Sequence, residues 1–326
     1  MPTNPDLVRR AKATAAVVGR LAPSPTGAQH VGNARTFLIA WLAARSVGGK
    51  VVLRLEDIDS PRVKAGAAEE AIDDLRWLGL DWDDGPIVQT QRLPLYEAAL
   101  KRLQAKEAVY PCTCTRSDVE RAASAPHGDH EGPVYPGTCA QRTSRDGAAL
   151  GGQAAWRFRV PDDVTEFDDA LQDHVAIDLS RVGGDFVVWK SAGSPAYQLA
   201  AVVDDAAMEV TQVVRGNDLI PSTPRQLLLY DALGLTAPGF AHVPLVVGPD
   251  GRRLAKRHGD TRLQALRAAG VKVEMLLGLL AWSCGWLPEI EPVTAHDLLP
   301  HFRLSTIPPR NFVLEPELLA RIGYSA

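Results

Sequence analysis

The sequence predicts an α/β fold: a parallel sheet with helices laid on it, interrupted by an inserted cysteine-bearing α/β module and closed by a helical C-terminal segment. Three observations predict it. A strand, a Pro/Gly turn and a helix follow one another in residues 15–42. Strands and amphipathic helices then alternate to about residue 108, and Pro111–Cys139 breaks that alternation with three clustered cysteines.

The opening stretch justifies the first element. Ala15–Leu21 is an apolar run of strand length, broken by Pro23, Pro25 and Gly27, and from Ala34 the residues Phe37, Leu38, Trp41 and Leu42 recur at helical spacing. A turn that opens a helix presents free backbone N–H groups and the positive end of the helix dipole, which favours phosphate. His30 and the small Gly32 sit where a nucleotide can press close to the backbone. A second strand, Val51–Asp57, ends in charge, with Glu56, Asp57 and Asp59 beside Arg54 and Arg62. Ligands of open α/β sheets gather at such strand ends. Asp57, Asp59 and Arg62 read either as a mutual ion-pair cluster or as part of a ligand site, whereas Glu56 suits a ligand ammonium group. Ala67–Leu80 and Leu93–Ala108 are the amphipathic crossover helices, with Trp77, Trp82 and Tyr96 read as core.

In the inserted module, Cys112, Cys114 and Cys139 offer three thiolates, and zinc takes four donors. Tyr135, His127 and His130 are the candidates for the fourth. A general argument favours histidine, because a phenol with a pKa of about 10 is a poor ligand at neutral pH, although a bound dication stabilises the phenolate. The site is expected to be structural. Ala155–Val160 alternates as a strand, and Val175–Asp178 with Phe186–Trp189 suggests a hairpin about Arg181–Asp185. Ala196–Asp205 is an apolar run bounded by polar residues. Another strand, Val210–Val214, ends in Arg215-Gly216-Asn217-Asp218, and Ser222 or Thr223 is expected to cap the helix running to Leu233. Leu245–Val247 is a short apolar strand that leads through a turn into the basic loop Arg252–Gly259. Beyond Thr261 the pattern is helical, and Cys284 falls in its apolar core.

The bulk properties exclude several classes. At 326 residues, 46% hydrophobic and 23% charged, the chain has the composition of an ordinary globular protein with room for more than one domain. Its net charge of −4 gives no global pull towards nucleic acid, so RNA contact must come from local basic patches. No apolar run approaches the roughly 20 residues needed to span a bilayer. Met1–Lys12 is polar and lacks a signal-peptide pattern, and four cysteines make no disulfide scaffold, so a cytoplasmic location is expected.

His30-Val31-Gly32-Asn33 and Arg253-Leu254-Ala255-Lys256-Arg257 resemble the two signature motifs of class I aminoacyl-tRNA synthetases, HIGH and KMSKS. Asn33 replaces the last His, Arg253 the first Lys and Ala255 the first Ser, while Lys256 is kept. Arg20–Gly27, Arg54-x-Glu56-Asp57-x-Asp59-x-x-Arg62, Arg215–Asp218 and Leu254–Gly259 occur in the order found in the glutamate branch of that class. Within the branch the chain most resembles the glutamyl-queuosine tRNA(Asp) synthetases. It stops at Ala326, where glutamyl-tRNA synthetases continue into an anticodon-binding portion, and its Cys-x-Cys…Tyr-x-x-x-Cys pattern is that of the shorter paralogue.

The resemblance implies a Rossmann-type catalytic domain whose halves span 15–109 and 191–260, after a leader at 1–14. The zinc module takes 110–190 and the helical segment 261–326. It implies Arg20, Leu21, Ala22, Pro23, Ser24, Glu56, Tyr197 and Arg215 around glutamate, and His30, Gly32 and Lys256 at ATP, with His30 and Lys256 catalytic. It also implies one structural Zn2+ on Cys112, Cys114, Tyr135 and Cys139, and Mg2+ brought with ATP. The implied reaction is tRNA-independent activation of glutamate, then transfer to queuosine in tRNA(Asp), by a monomer with no membrane partner. The rival expectations are a minimal glutamyl-tRNA synthetase charging the 3′ end and a non-catalytic RNA- or nucleotide-binding paralogue.

Overall fold

β1 (Val18–Leu21) runs through the expected Pro/Gly turn into α1 (Val31–Arg45). The computed structural model describes residues 16–58, 63–122, 134–150, 154–254 and 260–324. α1 buries Val31, Ala34, Leu38, Ile39, Trp41 and Leu42 on one face and Ala40, Ala43 and Ala44 on the other, so it lies inside the core rather than on it. β2 (Lys50–Leu55) returns parallel to β1, with Leu21 opposite Leu53. α2 (Ala67–Trp77) crosses to β3 (Asp84–Val88), which pairs parallel with β2, and α3 (Leu93–Ala105) follows.

The chain then enters β4 (Val109–Cys112), α4 (Arg116–Ala122), α5 (Asp146–Ala149) and β5 (Ala155–Phe158), then β6 (Val164–Asp169), β7 (Asp173–Asp178) and β8 (Phe186–Trp189). It resumes with α6 (Tyr197–Ala207), β9 (Gln212–Gly216), α7 (Ser222–Leu233), β10 (Gly239–Val243) and β11 (Val246–Val247). The last elements are α8 (Leu263–Ala268), α9 (Val273–Ser283), β12 (Phe312–Val313) and α10 (Pro316–Arg321).

Two groups of strands make one layer. β3-β2-β1 is parallel, and β9-β10-β6 is parallel with β7 added antiparallel at its edge. They meet where the Thr211 N–H donates to the Val18 carbonyl at 2.9 Å and the Val18 N–H donates to Thr211 Oγ1 at 2.9 Å. α1 and α9 share the main hydrophobic core on one side; α3, α6 and α7 share a second core. β4-β5-β8 is a separate antiparallel sheet. Tyr96 and Cys284 are fully buried, and Trp77 and Trp82 pack partly buried against the core, as expected.

Three local expectations are corrected. The run at Ala196 is the helix α6; its buried residues, Leu199–Val202, Asp204 and Asp205, lie on most sides and leave no diagnostic period, and its leucine and alanines favour helix. Val175–Asp178 pairs with β6, not with Phe186–Trp189. The turn is made at Asp169, whose Oδ1 accepts from the Leu171 and Gln172 N–H groups, both at 3.0 Å. Gly183 and Gly184, both at positive φ, then turn the chain into β8, which pairs with β5. Neither Ser222 nor Thr223 caps α7: Pro221 is its N-cap, and Ser222 instead accepts from Gln198 Nε2 at 3.0 Å. The expected leader, Asp59 and Arg62 lie outside the described residues.

Asp74 on α2 is 3% exposed, and its Oδ2 has no hydrogen-bond partner among the described residues. Burial, then Glu70, push its carboxyl up to about 6. A carboxyl whose pKa is raised in the fold favours the fold when protonated, and that contribution is lost as pH rises through 6. Asp74→Asn is therefore expected to stabilise the protein by about 1–3 kcal/mol at pH 7.5, and the gain should vanish near pH 4. Thermal melts of both proteins across that range check it.

Candidate active site and metal centre

The carboxyl ends of β1, β2, β9 and β10 converge where the two groups of strands adjoin, the position at which open α/β sheets hold ligands. α1 starts there. His30 is its N-cap: Nδ1 accepts the Gly32 N–H at 3.1 Å and the Asn33 N–H at 3.4 Å, and Asn33 Oδ1 accepts the His30 N–H at 3.1 Å. Asn33, in place of the motif's second histidine, thus closes a reciprocal capping box. With Nδ1 accepting, the ring proton resides on Nε2, and burial holds the pKa of His30 below its ordinary value. The neutral ring therefore keeps an Nε2–H donor. Gly32 permits this fold-back, since a Cβ there would meet His30 Cε1 at 3.0 Å.

Arg20, on β1, is 7% exposed. Its Nη1 donates to the Val214 carbonyl at 3.0 Å, and its Nε lies 3.7 Å from Asp205 without a hydrogen bond. Burial pulls its pKa down, Asp205 offsets this in part, and Arg54 adds to the lowering. Arg54, on β2, is the contrast. Its Nη1 donates to Asp205 at 2.6 Å and its Nη2 to Glu56 at 2.9 Å. Burial depresses it, but Asp205, Glu56 and Asp204 outweigh that, and its pKa stands well above normal. Arg54 is saturated with acid; Arg20 is short of it. Asp204 also accepts from Gln89, Arg92 and Tyr96, tying α3 to α6. Glu56 follows β2, half-buried, and its N–H donates to the Pro23 carbonyl at 3.0 Å. That bond sets it beside Ala22, Pro23 and the exposed Ser24; Leu21 itself is buried core.

Arg215, on β9, is 5% exposed. It donates from Nε to His242 Nε2 at 3.0 Å, from Nη2 to Thr223 Oγ1 at 2.8 Å and from Nη1 to the Tyr197 hydroxyl at 3.3 Å. Arg20 touches the backbone beside Arg215, so the two guanidinium groups belong to adjoining networks. Of the expected residues, the structure thus gathers Arg20, Glu56, Tyr197 and Arg215. Asp169, His242 and Thr223 were not expected as site residues; a lone histidine closing an apolar strand carries no local signal.

Lys256 lies outside the described residues, as do Ala255 and Arg257–Gly259. Both flanks of that loop are placed. Arg253 bridges to Val247 and forms an ion pair with Asp218. Beyond the loop, the Val31 N–H donates to the Thr261 carbonyl at 3.0 Å and the Leu263 N–H to Gln29 at 2.9 Å, stitching the chain to the start of α1.

In the inserted module the ligand atoms of Cys112, Cys114 and Cys139 all lie within 4.8 Å of one another, a set able to hold a zinc ion. The Tyr135 oxygen is 3.4 Å from Cys112 Sγ and 3.8 Å from Cys114 Sγ, and accepts the Cys139 N–H at 2.9 Å. Arg157 lies 3.8 Å over the Tyr135 ring and donates to Cys112 Sγ at 3.3 Å, placing positive charge against a cluster that is anionic when ionised. His127 and His130 lie outside the described residues. No helix among the described residues is long and apolar enough to cross a membrane.

Comparison with known proteins accounts for these features together. The chain is 49% identical over 317 residues to a Symbiobacterium thermophilum protein named Glutamyl-Q tRNA(Asp) synthetase, covering 94% of this chain and 98% of that one. It is 52% identical over 293 residues to a Rhodopirellula baltica protein of the same name, covering 86% and 89%. A Geobacter sulfurreducens glutamate–tRNA ligase is 39% identical over 309 residues, which is 94% of this chain but 65% of the ligase. The crystal structure of a glutamate-tRNA synthetase from Elizabethkingia anophelis superposes with a TM-score of 0.81 at 26% identity, covering 93% of this chain and 69% of that one. Residues 16–297 match the family of class I tRNA synthetases (E and Q), catalytic domain, and the chain belongs to that family.

Proposed function

We propose that this chain activates L-glutamate with ATP, without needing tRNA, and transfers the glutamyl group to queuosine at the wobble position of tRNA(Asp). The observation that carries the reading is the pair of buried, acid-poor guanidinium groups, Arg20 and Arg215, at the sheet's carboxyl end with the carboxylate of Glu56. Glutamate brings two carboxylates and one ammonium group, the complement of that set. The relatives named Glutamyl-Q tRNA(Asp) synthetase, 49% and 52% identical, support the acceptor.

In this reading Arg20, Ser24, Tyr197 and Arg215 hold the amino acid's oxygens, Glu56 its ammonium group, and Leu21–Pro23 the wall beside them. The α-carboxylate of glutamate attacks the α-phosphorus of ATP: an O–P bond forms, the bond to the β-phosphate oxygen breaks, and pyrophosphate leaves. His30, through Nε2–H, and Lys256 stabilise the charge that develops, and Gly32 admits the nucleotide. Mg2+ enters with ATP. A hydroxyl of the queuosine cyclopentene ring then attacks the acyl carbon and AMP leaves. No protein nucleophile is needed; positioning and electrostatics suffice. The site's side chains are braced by hydrogen bonds within the chain, which suits activation before tRNA arrives.

Residues 15–109 and 191–260 make up the activating domain in this scheme, 110–190 the metal module and 261–326 the helical C-terminal segment. Cys112, Cys114, Cys139 and, as fourth ligand, Tyr135 hold a structural zinc. The enzyme acts in the cytoplasm as a monomer.

The test is transfer of labelled glutamate to queuosine-bearing tRNA whose 3′ end has been blocked while the queuosine diol is left intact. Label retained there, and absent from queuosine-free tRNA, is the expected result. Label that requires an open 3′ end would make this a short glutamyl-tRNA synthetase, and no label on either would point to the non-catalytic paralogue.

A further inference from the structure

Arg215 can only donate, so each atom facing its N–H groups must accept. His242 Nε2, 3.0 Å from Arg215 Nε, is therefore unprotonated, and the ring proton sits on Nδ1, 2.6 Å from Asp169 Oδ2. Both side chains are fully buried. Burial holds the pKa of His242 below its ordinary value, against the pull of Asp169. Asp169 is itself fixed: it accepts the Leu171, Gln172 and His242 N–H groups. Gln172 Nε2 donates back to the His242 carbonyl at 2.9 Å. The Phe240 ring lies 10° from parallel with that of His242, and the Arg215 guanidinium lies 5.3 Å over it.

We propose that Asp169 and His242 are positioning residues for Arg215, a relay that holds its guanidinium ready for the substrate carboxylate. This rests on the reading of Arg215 as a glutamate-binding residue. The relay accomplishes two things. It fixes the tautomer, since a proton on Nε2 would set donor against donor and turn the guanidinium out of place. It also balances the charge of Arg215 across a neutral ring rather than by direct contact. Arg54 shows the alternative: two carboxylates touch it, and they would compete with any incoming one. By standing one ring away, Asp169 compensates Arg215 without occupying the edge that the substrate needs. The carboxylate comes from the β6–β7 turn, so a hairpin outside β9 and β10 completes the support of the site.

Two measurements test it. The first is 15N NMR of the imidazoles in the wild-type protein, with the His242 signals identified by their loss in His242→Gln. At pH 7.5, Nδ1 protonated and Nε2 unprotonated is expected; an Nε2–H tautomer or an imidazolium overturns the relay whatever the protein's substrate. The second is ATP–pyrophosphate exchange. Asp169→Asn, which frees the ring to take the wrong tautomer, is expected to raise KM for glutamate about ten- to a hundredfold while KM for ATP stays within about twofold. His242→Gln, whose amide oxygen can accept the Arg215 Nε–H, should retain more glutamate affinity than His242→Leu. Unchanged KM for glutamate in Asp169→Asn and His242→Leu, or equal rises for both substrates, overturns the positioning role. Wild-type protein without glutamate-dependent exchange but with the expected tautomer would refute the glutamate reading and leave the relay standing.

Discussion

Arg215→Ala is expected to abolish glutamate-dependent ATP–pyrophosphate exchange without unfolding the protein. Removing one partner of a buried charge pair costs about 3–5 kcal/mol, which corresponds to roughly a 10²–10⁴-fold loss in kcat/KM for glutamate. The fold should survive because the groups left behind remain paired or reach water. His242 keeps Asp169 and Thr223, and Tyr197 is only half-buried. Arg215→Lys should rescue little. An ammonium group restores the charge but not the planar fork that spans His242, Thr223 and Tyr197 at once. Exchange kinetics with a circular-dichroism melt on the same samples decide the matter. Unchanged exchange in folded Arg215→Ala would remove Arg215 from the site.

Cys112→Ser is expected to lose the bound zinc and most of the soluble yield. The hydrophobic cluster around the cysteines is small: Tyr110, Cys112, Val119, Tyr135 and Cys139 are its buried members, and three of these are proposed ligands. So little apolar surface cannot by itself order the segment about the cysteines, whereas the module's sheet is held by the second core through Val109, Phe158, Phe186 and Trp189; in the proposed scheme a structural metal supplies that local deficit. Serine at position 112, at the buried end of β4, also leaves the Arg157 guanidinium facing a weaker, neutral partner. Zinc content by atomic emission, measured on equal amounts of wild type and variant, checks this. A stoichiometry equal to wild type in soluble Cys112→Ser would count against the ligand set.

What could be read before folding was whatever is written locally. The β1–α1 turn announces itself through Pro23, Pro25 and Gly27, and the metal cluster through three cysteines within 28 residues of sequence. Elements defined by their partners were harder. β6, between β7 and β10, carries acids and lacks the apolar run that marks a strand, so in the sequence Val175–Asp178 pairs more naturally with Phe186–Trp189 than with β6. α6 is buried on most sides, which erases the periodicity that separates helix from strand. The site divides in the same way. Arg20, Glu56 and Arg215 stand at predictable strand ends within recognisable motifs. Asp169 and His242 lie 73 residues apart and meet only because β6 pairs with β10.

That pairing bears on how such a protein can be taken apart and rebuilt. Residues 110–190 look transplantable, with a cysteine cluster and most of a small sheet of their own. Yet their hairpin is laced into the main sheet and ends on the aspartate behind His242. A chimaera that exchanged residues 110–190 between relatives would import a foreign backing for Arg215 along with the new module. One that exchanged only residues 110–160 would leave that backing native.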